Sequence, residues 1–226
     1  MWLHEAVTAR DVAAALPDIP VLRERCQALA ALDAILSPEW ESRYFSFDAH
    51  WGPGEQVASM RNGSGDEYDI VFGEAGVFIR GFAHESPMSP AHDEDGELWP
   101  GLLDAVPEVF AGSVAEPAFS YDGRLEATVC VWRETGDDRW HTGDVDHPAG
   151  PDPDGADGLF AVLVAGTPQA YRAFAEDYYE RPVDAGAVRA VFAHEPLTDA
   201  LVTRLNPDLT LADLAEDLAR IGYGAR

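Results

Sequence analysis

Tyr68-Asp69-Ile70-Val71-Phe72, Gly73-Glu74-Ala75-Gly76, Val77-Phe78-Ile79-Arg80-Gly81-Phe82 sets two runs of β-branched and aromatic residues on either side of a short glycine-flanked break. Such runs suit a pleated, half-buried surface, and so short a break returns the chain antiparallel to itself. Working outward, the same pattern recurs upstream. Val57, Ser59 and Arg61 alternate with Ala58, Met60 and Asn62, and Tyr44-Phe45-Ser46-Phe47 opens the region. The intervening Gly52-Pro53-Gly54 and Asn62-Gly63-Ser64-Gly65-Asp66 carry turn chemistry. Residues 40–84 therefore predict a meander of hairpins. A polar, Pro-containing loop follows over 85–100. Short helical turns broken by Pro107 come next, and then a strand ending in Val129-Cys130-Val131-Trp132.

Helices flank the strands. Thr8 caps a short helix that Pro17 stops, and Asp18 opens a second. In the second, Val21, Leu22, Cys26, Leu29, Leu32, Ile35 and Leu36 fall at helical spacing, and Ser37-Pro38 ends it. Towards the C-terminus Thr167-Pro168, Asp184, Thr198 and Thr210 each mark a helix start, and Gly222 ends the last stripe (Leu211, Leu214, Leu218, Ile221). Leu159 to Ala165 fits a strand or a helix, and Asp146 to Gly158 reads as a mobile loop. The predicted class is α+β: N-terminal helices, a central antiparallel β-meander sheet, and C-terminal helices packed on it. We expect a single domain over 1–226. Its parts are helical (1–38), sheet-rich (39–145), an acidic Pro/Gly loop (146–158) and mostly helical (159–226).

The chain has 226 residues, with 41 acidic and 15 basic side chains, giving a net charge of −26. All the basic residues are Arg. This charge repels phosphate backbones and anionic membrane surfaces, so neither nucleic acid nor membrane is an expected partner. It favours solubility and basic protein partners. Cys26 and Cys130 each sit in an apolar stretch and read as small buried hydrophobes. Met1-Trp2-Leu3-His4-Glu5 lacks the features of a secretory leader, and no apolar run reaches the ~18 residues of a membrane span. A cytoplasmic protein, monomeric or homodimeric, is expected.

Trp40-Glu41-Ser42-Arg43-Tyr44, Met60 to Asp66 and Glu85-Ser86-Pro87-Met88-Ser89, with Glu176-Asp177-Tyr178-Tyr179 and Leu205-Asn206-Pro207, carry a likeness along most of the chain. On these residues the sequence resembles a family of uncharacterised bacterial proteins. The resemblance implies no chemistry and assigns no site.

Four constellations could carry chemistry. His141-Thr142-Gly143-Asp144-Val145-Asp146-His147 groups two imidazoles and two carboxylates, ligand types that suit Zn²⁺, Mn²⁺ or Fe²⁺. On an extended segment these side chains point to opposite sides, so His141, Asp144, Asp146 and His147 converge on a metal only if Gly143 turns the chain. His84-Glu85 with His92-Asp93-Glu94-Asp95 could border a cleft and supply a general acid or base. Arg61 before Asn62-Gly63-Ser64-Gly65-Asp66 could meet an anion, but no helix follows, and Asp66 and Glu67 oppose phosphate. Finally Trp40, Tyr44, Trp51, Trp99, Trp132 and Trp140 offer aromatic anchors.

There is no Gly-x-Ser-x-Gly elbow and no reactive thiol setting. The reading is thus a non-catalytic interaction protein, immunity-type or regulatory, binding a basic partner through Arg43, Tyr44, Trp51, Arg61, Trp99 and Trp140, with no cofactor. The alternatives are a metal-dependent hydrolase on the His141/Asp144/Asp146/His147 cluster and a small-molecule domain with an aromatic-lined pocket.

Overall fold

A computed structural model describes residues 6–224. Met1 to Glu5, read above for a leader, lie outside the described residues. In chain order the elements are α1 (Ala9–Ala15), α2 (Ile19–Leu36), β1 (Phe45–Gly52), β2 (Glu55–Arg61), β3 (Glu67–Phe72), β4 (Gly76–Phe82) and α3 (Ala111–Val114). Then follow β5 (Ser120–Tyr121), β6 (Arg124–Leu125), β7 (Val129–Glu134), β8 (His141–Thr142), α4 (Ala156–Ala165), α5 (Pro168–Tyr178), α6 (Ala185–Phe192), α7 (Asp199–Leu205) and α8 (Ala215–Ile221). The class is α+β, with helices first, antiparallel strands in the middle and helices last. Among the described residues no helix is long and apolar enough to cross a membrane. The chain divides into two compact units, Met1–Pro17 with Arg61–Ala161, and Asp18–Met60 with Val162–Arg226.

In the first unit the strands run β3-β4-β7-β8, each antiparallel to the next. Gly73 N donates to Gly76 O at 2.9 Å and closes the predicted turn. This register sets Ile70, Ile79 and Val131 side by side. Period two then gives each face its own character. On one face Tyr68 stacks on Phe160 of α4, with ring centroids 5.0 Å apart. On the other, Asp69, Arg80 and Cys130 lie in register. Arg80 is only 1% exposed. Its Nη1 donates to Glu67 Oε1 (2.7 Å) and Asp69 Oδ2 (2.9 Å), and its Nε to Glu126 O (2.6 Å). A cation this deep is tolerable only with such partners.

The stretch from Leu159 to Ala165, open between strand and helix, is part of α4. The deciding signal lies just upstream. Asp152 accepts from Asp157 N (3.0 Å) and Gly158 N (3.1 Å), and Asp154 Oδ1 from Ala156 N (3.1 Å), so carboxylates satisfy the first turn. The loop expected to be mobile is therefore pinned. Asp154 is fully buried, and its Oδ2 also accepts from Ala9 N (2.8 Å) and meets His147 Nε2 (3.1 Å). Thr128 Oγ1 donates to Asp154 O (2.7 Å), and Ser86 Oγ to Pro153 O (2.8 Å). Expecting mobility from Pro, Gly and Asp overlooked that short acidic side chains are also good acceptors for backbone N–H groups.

In the second unit, β1 pairs with β2 from Phe45 opposite Met60 to Asp48 opposite Val57. α2 buries Ala28 through Leu36 without a break, and Asp33 within that run is fully buried. Asp33 Oδ2 accepts from Tyr44 N (2.9 Å) and Phe45 N (2.7 Å), and Oδ1 from Tyr171 Oη (2.6 Å). One carboxylate thus ties the last turns of α2 to the start of β1 and to α5. Burial holds the Asp33 carboxyl up at about 6, against the downward pull of its hydrogen bonds, the Tyr171 hydroxyl's foremost. Cys26 and Cys130 are free and buried, and burial pushes both thiols up to about 12.

Candidate binding groove

The first unit carries an open groove of about 510 Å³. Pro87, Met88, Leu98, Trp99 and Pro100 supply its apolar lining, and Ser89, His92, Asp93, Glu97 and Asp146 its polar lining. Its walls come from the loop over 85–100 and from the chain just after β8.

Two glycines bring these walls together. A Cβ on Gly143 would stand 2.2 Å from Gly101 O, and one on Gly101 would stand 2.5 Å from Asp144 O. The segments around residues 101 and 143 therefore cross at a distance that no side chain permits. Gly101 also holds a positive φ of 87°. The crossing lets Trp99 Nε1 donate to Asp146 O at 3.0 Å. That bond occupies the donor edge of the indole, and the half-buried ring lines the groove. Both walls are also held by hydrogen bonds. His147, next to Asp146, meets the buried Asp154 carboxylate, and Ser86 Oγ, which donates to Pro153 O, accepts from Met88 N at 3.0 Å.

The charged lining is entirely acidic. Asp93 Oδ1 accepts from Asp95 N (2.9 Å) and Glu97 N (3.1 Å), and these bonds hold its carboxyl below the usual range. Glu97 lies 3.7 Å from Arg124, which offsets part of its charge. Asp146 is exposed, and its backbone, not its carboxylate, holds Trp99. In the second unit a smaller groove of about 250 Å³ is lined by α5 and α6 residues, but its Arg172 is engaged by Glu176 (2.8 Å) and Val183 O (2.9 Å).

Of the residues expected to bind a partner, Trp99 alone lines the larger groove. Arg43 is buried and spent. It donates to both oxygens of Asp217 (2.7 and 2.9 Å), to Ser37 O (2.9 Å) and to Pro38 O (2.8 Å). Tyr44 packs against Phe45, Phe174 and Tyr178. Trp140 is buried, and its Nε1 donates to Pro17 O at 2.8 Å. Arg61 is exposed and pairs with Glu67 at 3.2 Å, and Trp51 is 39% exposed at the end of β1.

The four metal candidates are not brought together. His141 Nε2 faces Asp137 at 3.2 Å, Asp144 meets Arg10 at 3.0 Å, Asp146 lines the groove, and His147 meets Asp154. Gly143 makes the close crossing with Gly101 instead of a turn that gathers ligands. Among the described residues, no group of three His, Cys, Asp or Glu side chains is placed to hold a metal ion. His84 pairs with Glu85 at 3.1 Å, and of its suggested companions only His92 and Asp93 line the groove. Sequence reading missed Met88, Leu98 and Glu97. The available signal was a loop rich in proline that nonetheless carries Met, Leu and Trp, residues that a purely solvated loop has no use for. Comparison with family models, curated proteins and solved structures returned no match.

Proposed function

We propose that this chain is a non-catalytic interaction protein, immunity-type or regulatory, whose groove engages a basic protein partner. One observation carries the reading: a groove lined by aromatic and aliphatic side chains, its segments held by hydrogen bonds, whose charged lining is all carboxylate, in a chain of net charge −26. A field of that sign steers cationic partners into encounter, and the apolar lining supplies the short-range contact that holds them. The cytoplasm suits such a protein, because its two cysteines are unpaired and buried.

The test uses an octa-arginine peptide as a stand-in for the basic surface. Its association rate should fall as salt rises from 50 to 300 mM, because screening shortens the reach of the field. Asp93→Asn with Asp146→Asn should weaken binding at least fivefold. The control pair Asp208→Asn with Glu216→Gln, in the second unit, should change it less than twofold. Equal losses for both pairs, or a rate indifferent to salt, would contradict the reading.

A further inference from the structure

Resting on that reading, we infer that the groove is a seat for an arginine side chain of the basic partner, stacked on Trp99 and flanked by the carboxylates of Asp93 and Asp146. The indole is held in place before any ligand arrives, since its Nε1 is already bonded to Asp146 O at 3.0 Å. With that donor engaged, what the indole has left to offer a cation is its ring face. A guanidinium is planar, weakly hydrated and stacks on such faces, whereas an ammonium is a compact, strongly hydrated point charge.

The acidic lining complements the stacked cation. A guanidinium laid on the ring directs its N–H groups outward in its own plane, where carboxylates can accept them, and Asp93 and Asp146 line the same groove as Trp99. Asp93 is kept ionised by two backbone N–H donors. Glu97 is partly engaged by Arg124, which leaves these two carboxylates as the main counter-charges. Among the described residues no arginine lines the groove, and Arg124 is held at Glu97 and at the carbonyl of Asp95. Pro87, Met88 and Leu98 complete a wall for the aliphatic stem. The volume of about 510 Å³ exceeds one side chain and leaves room for its neighbours, so we take the arginine as part of an extended segment.

Calorimetric titration with octa-arginine and octa-lysine, peptides of equal charge, tests this. The wild-type protein should bind octa-arginine at least tenfold more tightly, and free arginine should not compete at millimolar concentration. Trp99→Ala should bring the two affinities within twofold while leaving the salt-dependent binding of both. Asp146→Asn changes an exposed carboxylate without touching the carbonyl that holds Trp99, and should cost octa-arginine three- to tenfold. Equal affinity for the two peptides in the wild type, unchanged by Trp99→Ala, overturns the arginine seat while leaving a basic partner in place. Failure of octa-arginine to bind overturns both readings, and competition by free arginine overturns the extended segment.

Discussion

Replacing Asp33 by Asn separates the cost of burying a charge from the benefit of its hydrogen bonds. The carboxyl is raised from 3.8 to about 6 by burial, against the pull of its donors. The native state therefore takes up a proton at a pH where the unfolded chain does not. The stability linked to this proton is fully present below about pH 4 and is lost as pH rises through about 6. At 1.36 kcal/mol per pKa unit the full effect is about 3 kcal/mol, of which about 1 kcal/mol should be gained on going from pH 7 to pH 5. An amide at position 33 can still accept from Tyr44 N and Phe45 N through its oxygen and donate to Tyr171 Oη through its nitrogen, so the fold survives, without a titrating group. Urea unfolding of both proteins at pH 7, 6 and 5 reads the difference directly. Asp93, Glu176, Asp184 and Asp213, held below their ordinary values mainly by hydrogen bonds, pull the other way in acid, as does no raised group. Their contributions are common to both proteins and cancel. The wild-type advantage over Asp33→Asn should grow as pH falls from 7 to 5; a flat or shrinking difference would refute the argument.

Three further outcomes follow from the first unit. Gly143→Ala places a methyl group 2.2 Å from Gly101 O, so it should cost roughly 1–3 kcal/mol in urea unfolding and weaken octa-arginine binding by parting Trp99 from Asp146. Arg80→Met leaves Asp69 and Glu67 without their cation and should cost about 3–5 kcal/mol, read from the shift of the urea midpoint at constant slope. Asp154→Ala strips acceptors from Ala9 N, Ala156 N and His147, and should raise amide exchange at Ala9 and in the first turn of α4 well before it affects β4.

The local parts of this fold were legible because each was written in one short stretch. The turn at Gly73–Gly76 and the runs flanking it specified a hairpin, and the helix starts at Thr8, Thr167, Asp184 and Thr198 match those of α1, α5, α6 and α7. α4 was ambiguous because an unbroken apolar run has no period, and its capping carboxylates lay in a segment read as loose. The groove was barely legible. Trp99 and Asp146 were singled out for different chemistries, and their meeting depends on Gly101 and Gly143, which nothing local connects. The metal reading of 141–147 had the right ligand types. In an extended chain, however, neighbours point apart, and each of those side chains finds its own partner.

The central claim concerns one indole among six. In a ¹H–¹⁵N spectrum the indole N–H signals can be followed singly, with Trp99 assigned by its loss in Trp99→Phe. On addition of octa-arginine the Trp99 signal should move furthest, ahead of the more exposed Trp40 (41%) and Trp51 (39%). Larger shifts at Trp40 or Trp51, or small uniform shifts across all six, would mean that the cation gathers elsewhere on this acidic surface.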